Sequence, residues 1–132
     1  MTRLALILRP STFLSLSAAA LLGACGEAGP KVDQDAVARG QKLFATCSAC
    51  HTVSSDHMVG PGLGGVVGRA AGQAPGFGYS DALKAAKFDW TEERLIAFLS
   101  TEDYLPGTNM VITPLSPEEA RDVVAYLATT KG

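Results

Sequence analysis

Cys47-Ser48-Ala49-Cys50-His51 reads C-x-x-C-H, the spacing for covalent attachment of a c-type haem. Two thiols add across the two vinyl groups on one porphyrin edge. The histidine that follows is then held under the iron, where an imidazole nitrogen can bind it. Competing readings of the run are weaker. A zinc site needs a second ligand pair, and the chain has no second C-x-x-C. A thioredoxin-type redox pair belongs in a strand–helix–strand setting, and no such pattern flanks the motif.

Working outward, the 132 residues allow one domain, and 47% hydrophobic with 18% charged residues is a globular balance. So small a core is marginal alone, and a buried covalent haem supplies apolar surface that the side chains lack. A formal charge of −2 argues against a nucleic-acid partner. Three cysteines are present. Two belong to the motif, which leaves Cys25 to be explained.

The N-terminus explains it. Met1 to Pro10 carries Arg3 and Arg9 and no acid, and Ser11 to Leu22 is apolar or small throughout. This is the basic and apolar pattern of a secretory signal, too short to span a bilayer comfortably. It ends Leu22-Gly23-Ala24-Cys25, which resembles the lipobox of bacterial lipoproteins, cut before a cysteine that is then lipidated. The alternative is an ordinary cleaved signal with a stray Cys25, cut after Gly26 or Ala28. The expected organisation is a lipoprotein-type signal over 1–24, a lipidated Cys25 with a short linker over 25–34, and a haem domain over 35–132.

Within the domain, Val32, Ala36, Val37, Gly40, Leu43 and Phe44 recur at helical spacing, predicting a helix from about Asp33 to Thr46 that runs into the motif. Gly40 weakens a helix and so implies close approach of another one. Thr52 to Tyr79 is rich in glycine and proline and reads as loops around the haem edge. His57 and Met58 lie there as alternative iron ligands or, more ordinarily, as packing residues. A G-x-G look in this stretch lacks the preceding strand and following helix of a phosphate loop. Ser80 caps a short helix, Asp81 to Ala86. Asp89-Trp90-Thr91-Glu92 opens another, with Leu95, Ile96, Phe98 and Leu99 inward. Thr101 to Leu115 is a loop. Ser116-Pro117-Glu118-Glu119 opens the last helix as a capping box with proline in its first turn. Ala120, Val123, Val124 and Leu127 line one face of that helix, expected to cross the first near Gly40 and Phe44. With no strand pattern, the fold class is all-α with much loop.

Six stretches in order, CSACHTV, GPGLGGVVGR, APGFGYSDALK, WTEERLIAFL, YLPGTNM and EEARDVVAYL, carry a resemblance to class I cytochrome c that covers Gly40 to Leu127. The resemblance implies N- and C-terminal helices packed crosswise and loops wrapping one covalent haem c. Cys47 and Cys50 would carry the haem. His51 would be the proximal iron ligand, its other nitrogen donating to Pro61. Met110 would be the distal ligand, and Arg69, Tyr79, Trp90 and Thr108 would hold the propionates and the Met loop. Three departures stand out. Phe98 replaces a tyrosine that bonds the Met sulfur, Leu83 replaces a buried asparagine, and Thr101-Glu102-Asp103 replaces a basic run. The first two put the usual hydroxyl and water network in doubt, the third a cationic docking ring.

Filled axial positions leave no open site for substrate, so the expected function is an electron carrier and not an enzyme. A haem-based redox or gas sensor, or a small peroxidase with a labile Met110, is the alternative. The carrier reading implies a monomer in the periplasm, anchored through Cys25 or else soluble. It would shuttle electrons in a respiratory chain from a cytochrome bc-type donor to an oxidase or a photosynthetic reaction centre.

Overall fold

The computed structural model describes residues 32–132. The signal segment, Cys25 and most of the linker therefore lie outside the described residues. Four α-helices follow in order: α1 Gln34–Leu43, α2 Asp81–Ala85, α3 Glu92–Ser100 and α4 Pro117–Ala128, with a 3₁₀ segment Phe44–Ala49 after α1. Among the described residues there is no strand, only an isolated bridge between Ala70 and Asp89.

Each helix begins where its sequence provides a cap. Asp33 accepts from the N–H groups of Asp35 and Ala36, so α1 starts at Gln34. Ser80 accepts from Leu83 N–H. In α3 the cap is Thr91, which accepts from Arg94 N–H; the residue three after the cap is arginine, so no capping box closes there. In α4 the box is complete: Glu119 N–H donates to Ser116 Oγ and Ser116 N–H returns to Glu119. Losing such a cap costs about 1 kcal/mol.

The first helix departs from expectation. It was predicted to reach Thr46, but α geometry stops at Leu43 and the chain tightens into 3₁₀ turns through Ala49. The Phe44 N–H is shared between Gly40 O and Lys42 O. Farther on, the N–H groups of Cys50 and His51 both donate to Cys47 O, at 3.1 and 3.0 Å. The Cys50 bond spans three residues and the His51 bond four, and together they turn Cys50 and His51 back under Cys47.

α4 packs on both α1 and α3. Val123 and Val124 are fully buried, each worth about 1.5–3 kcal/mol of removed apolar surface. Where α1 and α4 cross, Gly40 is buried. A methyl there would overlap the Asp122 carbonyl oxygen and lie 2.5 Å from the Asp122 carbonyl carbon. Only glycine permits this approach. One turn on, the rings of Phe44 and Tyr126 meet with centroids 5.6 Å apart. Beside Gly40, Arg39 donates Nε to Asp122 Oδ2 at 2.7 Å and Nη2 to Oδ1 at 2.8 Å. This fork clamps the helix pair across its edge.

Candidate functional site

The site is built on the turn that follows α1. Cys47 is half-buried against the hydrophobic core, and Cys50 is exposed. Burial pushes the Cys47 thiol up. That is the reverse of the lowered pKa that activates a redox dithiol. His51 is buried, at 9% exposure.

One loop, residues 57–64, fixes the imidazole. Gly60 N–H donates to Cys50 O at 2.8 Å, which lays the loop across the ring. A Cβ on Gly60 would overlap Cε1 of His51 and sit 2.7 Å from Nδ1 and 2.8 Å from Nε2, so the backbone lies flat on the imidazole. His51 Nδ1 then donates to Pro61 O at 2.8 Å. With Nδ1 carrying the proton, Nε2 is the nitrogen left with a lone pair for a metal, and the carbonyl partner raises its basicity.

His57 holds the loop in turn. Gly62 N–H donates to His57 Nδ1 at 3.0 Å, and His57 Nε2 donates to Pro75 O at 2.8 Å. Its ring also packs edge-on against Phe77 at 5.3 Å. Five residues separate His51 from His57, a spacing that two zinc ligands could share. With both ring nitrogens engaged, however, His57 is a pin between loops and has no lone pair for iron or zinc. The same engagement removes His57 as a distal acid–base residue. Among the described residues no three His, Cys, Asp or Glu side chains cluster as metal ligands. Met58, the other alternative ligand, is 52% exposed.

Arg69 follows the histidine loop by five residues. Its guanidinium donates to Gly62 O at 3.1 Å and Gly64 O at 3.3 Å. Donors thus stand on three successive free carbonyls of the histidine loop: His51 on Pro61, Arg69 on Gly62 and Gly64. Tyr79 packs edge-on against Phe77 at 4.8 Å, extending the stack that begins at His57. Trp90 is buried and meets Phe88 at 5.0 Å and Phe98 at 5.1 Å. Its backbone closes on the other loop, Trp90 N–H to Arg69 O and Gly68 N–H to Trp90 O, both 2.8 Å.

Met110 comes from the loop between α3 and α4. Leu115 N–H donates to Leu99 O at 2.9 Å and anchors the far end of the loop. Gly107 takes φ +86° at its turn, a value only glycine adopts freely. Met110 N–H donates to Thr108 Oγ1 at 3.3 Å, so Thr108 shapes the approach to the methionine. The Met110 side chain is half-buried against the core, as are Leu83, Leu99, Tyr104 and Leu105. The residues fit a covalent haem: two thiols at the attachment spacing, a neutral imidazole nitrogen facing away from its carbonyl partner, a thioether, and an apolar wall.

Three features escaped the sequence reading. They are the His57 pin, the Arg39–Asp122 fork, and Ser100, whose Oγ is buried without a partner. A signal existed for one of them, since Asp122 sits directly beside the apolar run of α4 and Arg39 directly beside the conspicuous Gly40.

Comparison with known proteins gives the family and the fold. A family model for cytochrome c matches residues 37–131. Cytochrome c of Chlamydomonas reinhardtii is 45% identical over 96 residues, covering 69% of this chain and 86% of its own. Cytochrome c2 of Rhodomicrobium vannielii is 41% identical over 98 residues, covering 71% and 78%. The solved structure of cytochrome cH from Methylobacterium extorquens superposes with TM-score 0.68 at 42% identity, covering 71% of this chain and 98% of that one. The chain belongs to the class I cytochrome c family. It is an electron-transfer haem protein carrying one covalently bound haem c with its iron, and a carrier rather than an enzyme.

Proposed function

We propose that this chain is an exported, membrane-tethered carrier in which Cys47 and Cys50 hold the haem and His51 and Met110 are the axial ligands. The observation that carries the reading is the His51 ring, buried under Gly60 with Nδ1 spent on Pro61 O. That arrangement presets one nitrogen for the iron. The haem supplies reversible one-electron transfer. The protein's part is to hold both ligands still, exclude water with the apolar wall, and so keep reorganisation small between oxidation states. A thioether opposite imidazole favours the ferrous state and raises the potential. Phe98, buried at 8% exposure, brings no hydroxyl to the methionine side.

Export rests on the basic and apolar pattern of residues 1–22, and anchoring rests on Leu22-Gly23-Ala24-Cys25. Among the described residues no helix is long and apolar enough to cross a membrane. Lipid chains on Cys25 would anchor the protein stably where a single chain would not. Since α1 is capped at Asp33, residues 26–32 form the tether, with a reach on the order of 25 Å. So short a tether favours periplasmic partners embedded in the same membrane, a cytochrome bc-type donor and an oxidase or reaction-centre acceptor.

Spectra of the holoprotein test the ligands. Wild type should bind little carbon monoxide, and Met110→Ala should bind it readily and show a lower potential. If Met58→Ala does this and Met110→Ala does not, the assignment fails. Cell fractionation tests the tether. Wild type should sediment with membranes and take up labelled palmitate, and Cys25→Ser should do neither. Unlabelled holoprotein wholly in the soluble periplasmic fraction would return Cys25 to a discarded signal or a stray thiol.

A further inference from the structure

Gly60, Gly62 and Gly64 alternate along one stretch, and none of the three has a positive φ. The backbone would accept a side chain at each; the neighbours forbid it. A Cβ on Gly62 would lie 2.5 Å from Ser54 O and 2.7 Å from Asp56 O, and one on Gly64 would lie 2.5 Å from Lys131 O. Gly60 differs in kind, because its neighbour is the His51 side chain. A Cβ there would overlap Cε1 and have Nδ1 and Nε2 almost equally near, at 2.7 and 2.8 Å. That places it over the face of the ring; an edge-on contact at Cε1 would leave both nitrogens farther off by most of a C–N bond. Three bonds hold the stretch in place. Gly60 N–H donates to Cys50 O at 2.8 Å, and Leu63 N–H to Thr52 O and Gly64 N–H to Ser54 O, both at 2.9 Å. Residues 60–64 therefore run beside residues 50–54 as a strap, with His51 bracketed between its bonds.

We propose that Gly60 is the positioning residue that sets the plane of the His51 imidazole. The proposal rests on the reading of His51 as an iron ligand. Two restraints act on the ring. The bond from Nδ1 to Pro61 O fixes where the ring points, but such a bond keeps its strength over about 30° of tilt. The strap at Gly60 lies against one face, and a ring cannot roll into backbone already in contact with it. The missing side chain thus selects one ring plane among those that the carbonyl would allow. The choice matters to an electron carrier, because an imidazole is a directional donor. Its plane decides which ferric d orbital holds the unpaired electron, and so along which porphyrin axis the spin density lies. Turning the plane would move spin density at the haem edge without changing either ligand.

The test compares wild-type, Gly60→Ala and Gly62→Ala holoproteins by proton NMR. In the ferric state the order of the haem methyl shifts reports the spin distribution; in the reduced state the Met110 methyl resonance reports the other ligand. Gly62→Ala is the control, since its methyl strains the same strap against Ser54 and Asp56 backbone and not against the ring. Gly60→Ala should reorder the haem methyl shifts with the Met110 resonance in place. Gly62→Ala should lose stability and keep the wild-type order. Wild-type order in Gly60→Ala would mean that the carbonyl bond alone sets the plane, and the same reordering in both variants that any strain in the strap does; either overturns the proposal. So does a displaced Met110 resonance, which would move the cause to the Met loop. In all three cases the hyperfine-shifted His51 ring protons persist and the ligand reading stands. Their absence from wild type would overturn the ligand reading and the proposal together. If Gly60→Ala yields no holoprotein, wild type decides. An Overhauser contact between the Gly60 α-protons and His51 Hε1, with a single set of ferric methyl resonances, supports the proposal; no contact, or a second set from another ring plane, overturns it.

Discussion

Replacing Gly40 by alanine sets two effects of opposite sign against each other. Alanine is the better helix former by about 1 kcal/mol, and α1 would gain that on its own. At this position, however, the new methyl overlaps the Asp122 carbonyl oxygen and sits 2.5 Å from its carbon and 3.0 Å from Tyr126 Cβ. Ordinary carbon contacts begin near about 3.5 Å. The obstacle is backbone of a packed helix, so relief requires α1 and α4 to separate by roughly 1 Å. Overpacking of this kind costs about 1–3 kcal/mol. Separation also loosens the Phe44–Tyr126 ring contact, worth about 0.5–1.5 kcal/mol, and stretches the Arg39–Asp122 fork. The clash wins, by about 1–3 kcal/mol net. Urea unfolding of the holoprotein should show the midpoint falling by about 1 M. Gly78→Ala is the control: nothing lies within 4 Å of its Cβ position, and the change should be neutral or slightly stabilising. A midpoint for Gly40→Ala at or above wild type would refute the reasoning that backbone contact, and not propensity, decides this residue.

Two other perturbations follow from named bonds. The Arg39 hydrogen bonds hold the Asp122 carboxyl below the usual range, so its stabilising contribution is complete above about pH 4 and is lost as pH falls through the lower folded value. Asp122→Asn should lower the melting temperature at neutral pH and flatten its decline in acid; an acid limb identical to wild type would remove Asp122 from the account. His57→Ala strips the partner from Gly62 N–H and Pro75 O, at about 1–2 kcal/mol for a half-exposed pair. Amide exchange should accelerate first at Gly62, while α4 amides keep their relative protection; uniform acceleration along the chain would mean that His57 is not a local pin.

How much of this could be read in advance depends on the range of the interaction. The start of α4 was legible because its cap, proline and glutamates lie within four residues. The crossing was legible because Gly40 interrupts a good helix for no local reason. The attachment turn was legible as chemistry but not as geometry. Helical spacing of Leu43 and Phe44 looks the same whether the next turn is α or 3₁₀, and the tightening comes from two amides competing for Cys47 O. The bonds from Arg69 to Gly62 O and Gly64 O have no pattern that announces them in the sequence. His57 and Pro75 lie 18 residues apart with no periodicity between them. Arg39 and Asp122 lie 83 apart. Pattern reading follows neighbours along the chain, and these bonds form only after the chain has turned back on itself.

That last separation bears on how the molecule is made. Among the described residues the helix that closes the structure is α4, and it closes on α1. Bringing the two together across 83 residues spends about 4 kcal/mol of loop entropy before any contact repays it. Without α4, the glycine face of α1 has no partner. A haem joined to Cys47 and Cys50 before α4 docks would therefore meet a chain whose two longest helices are still apart.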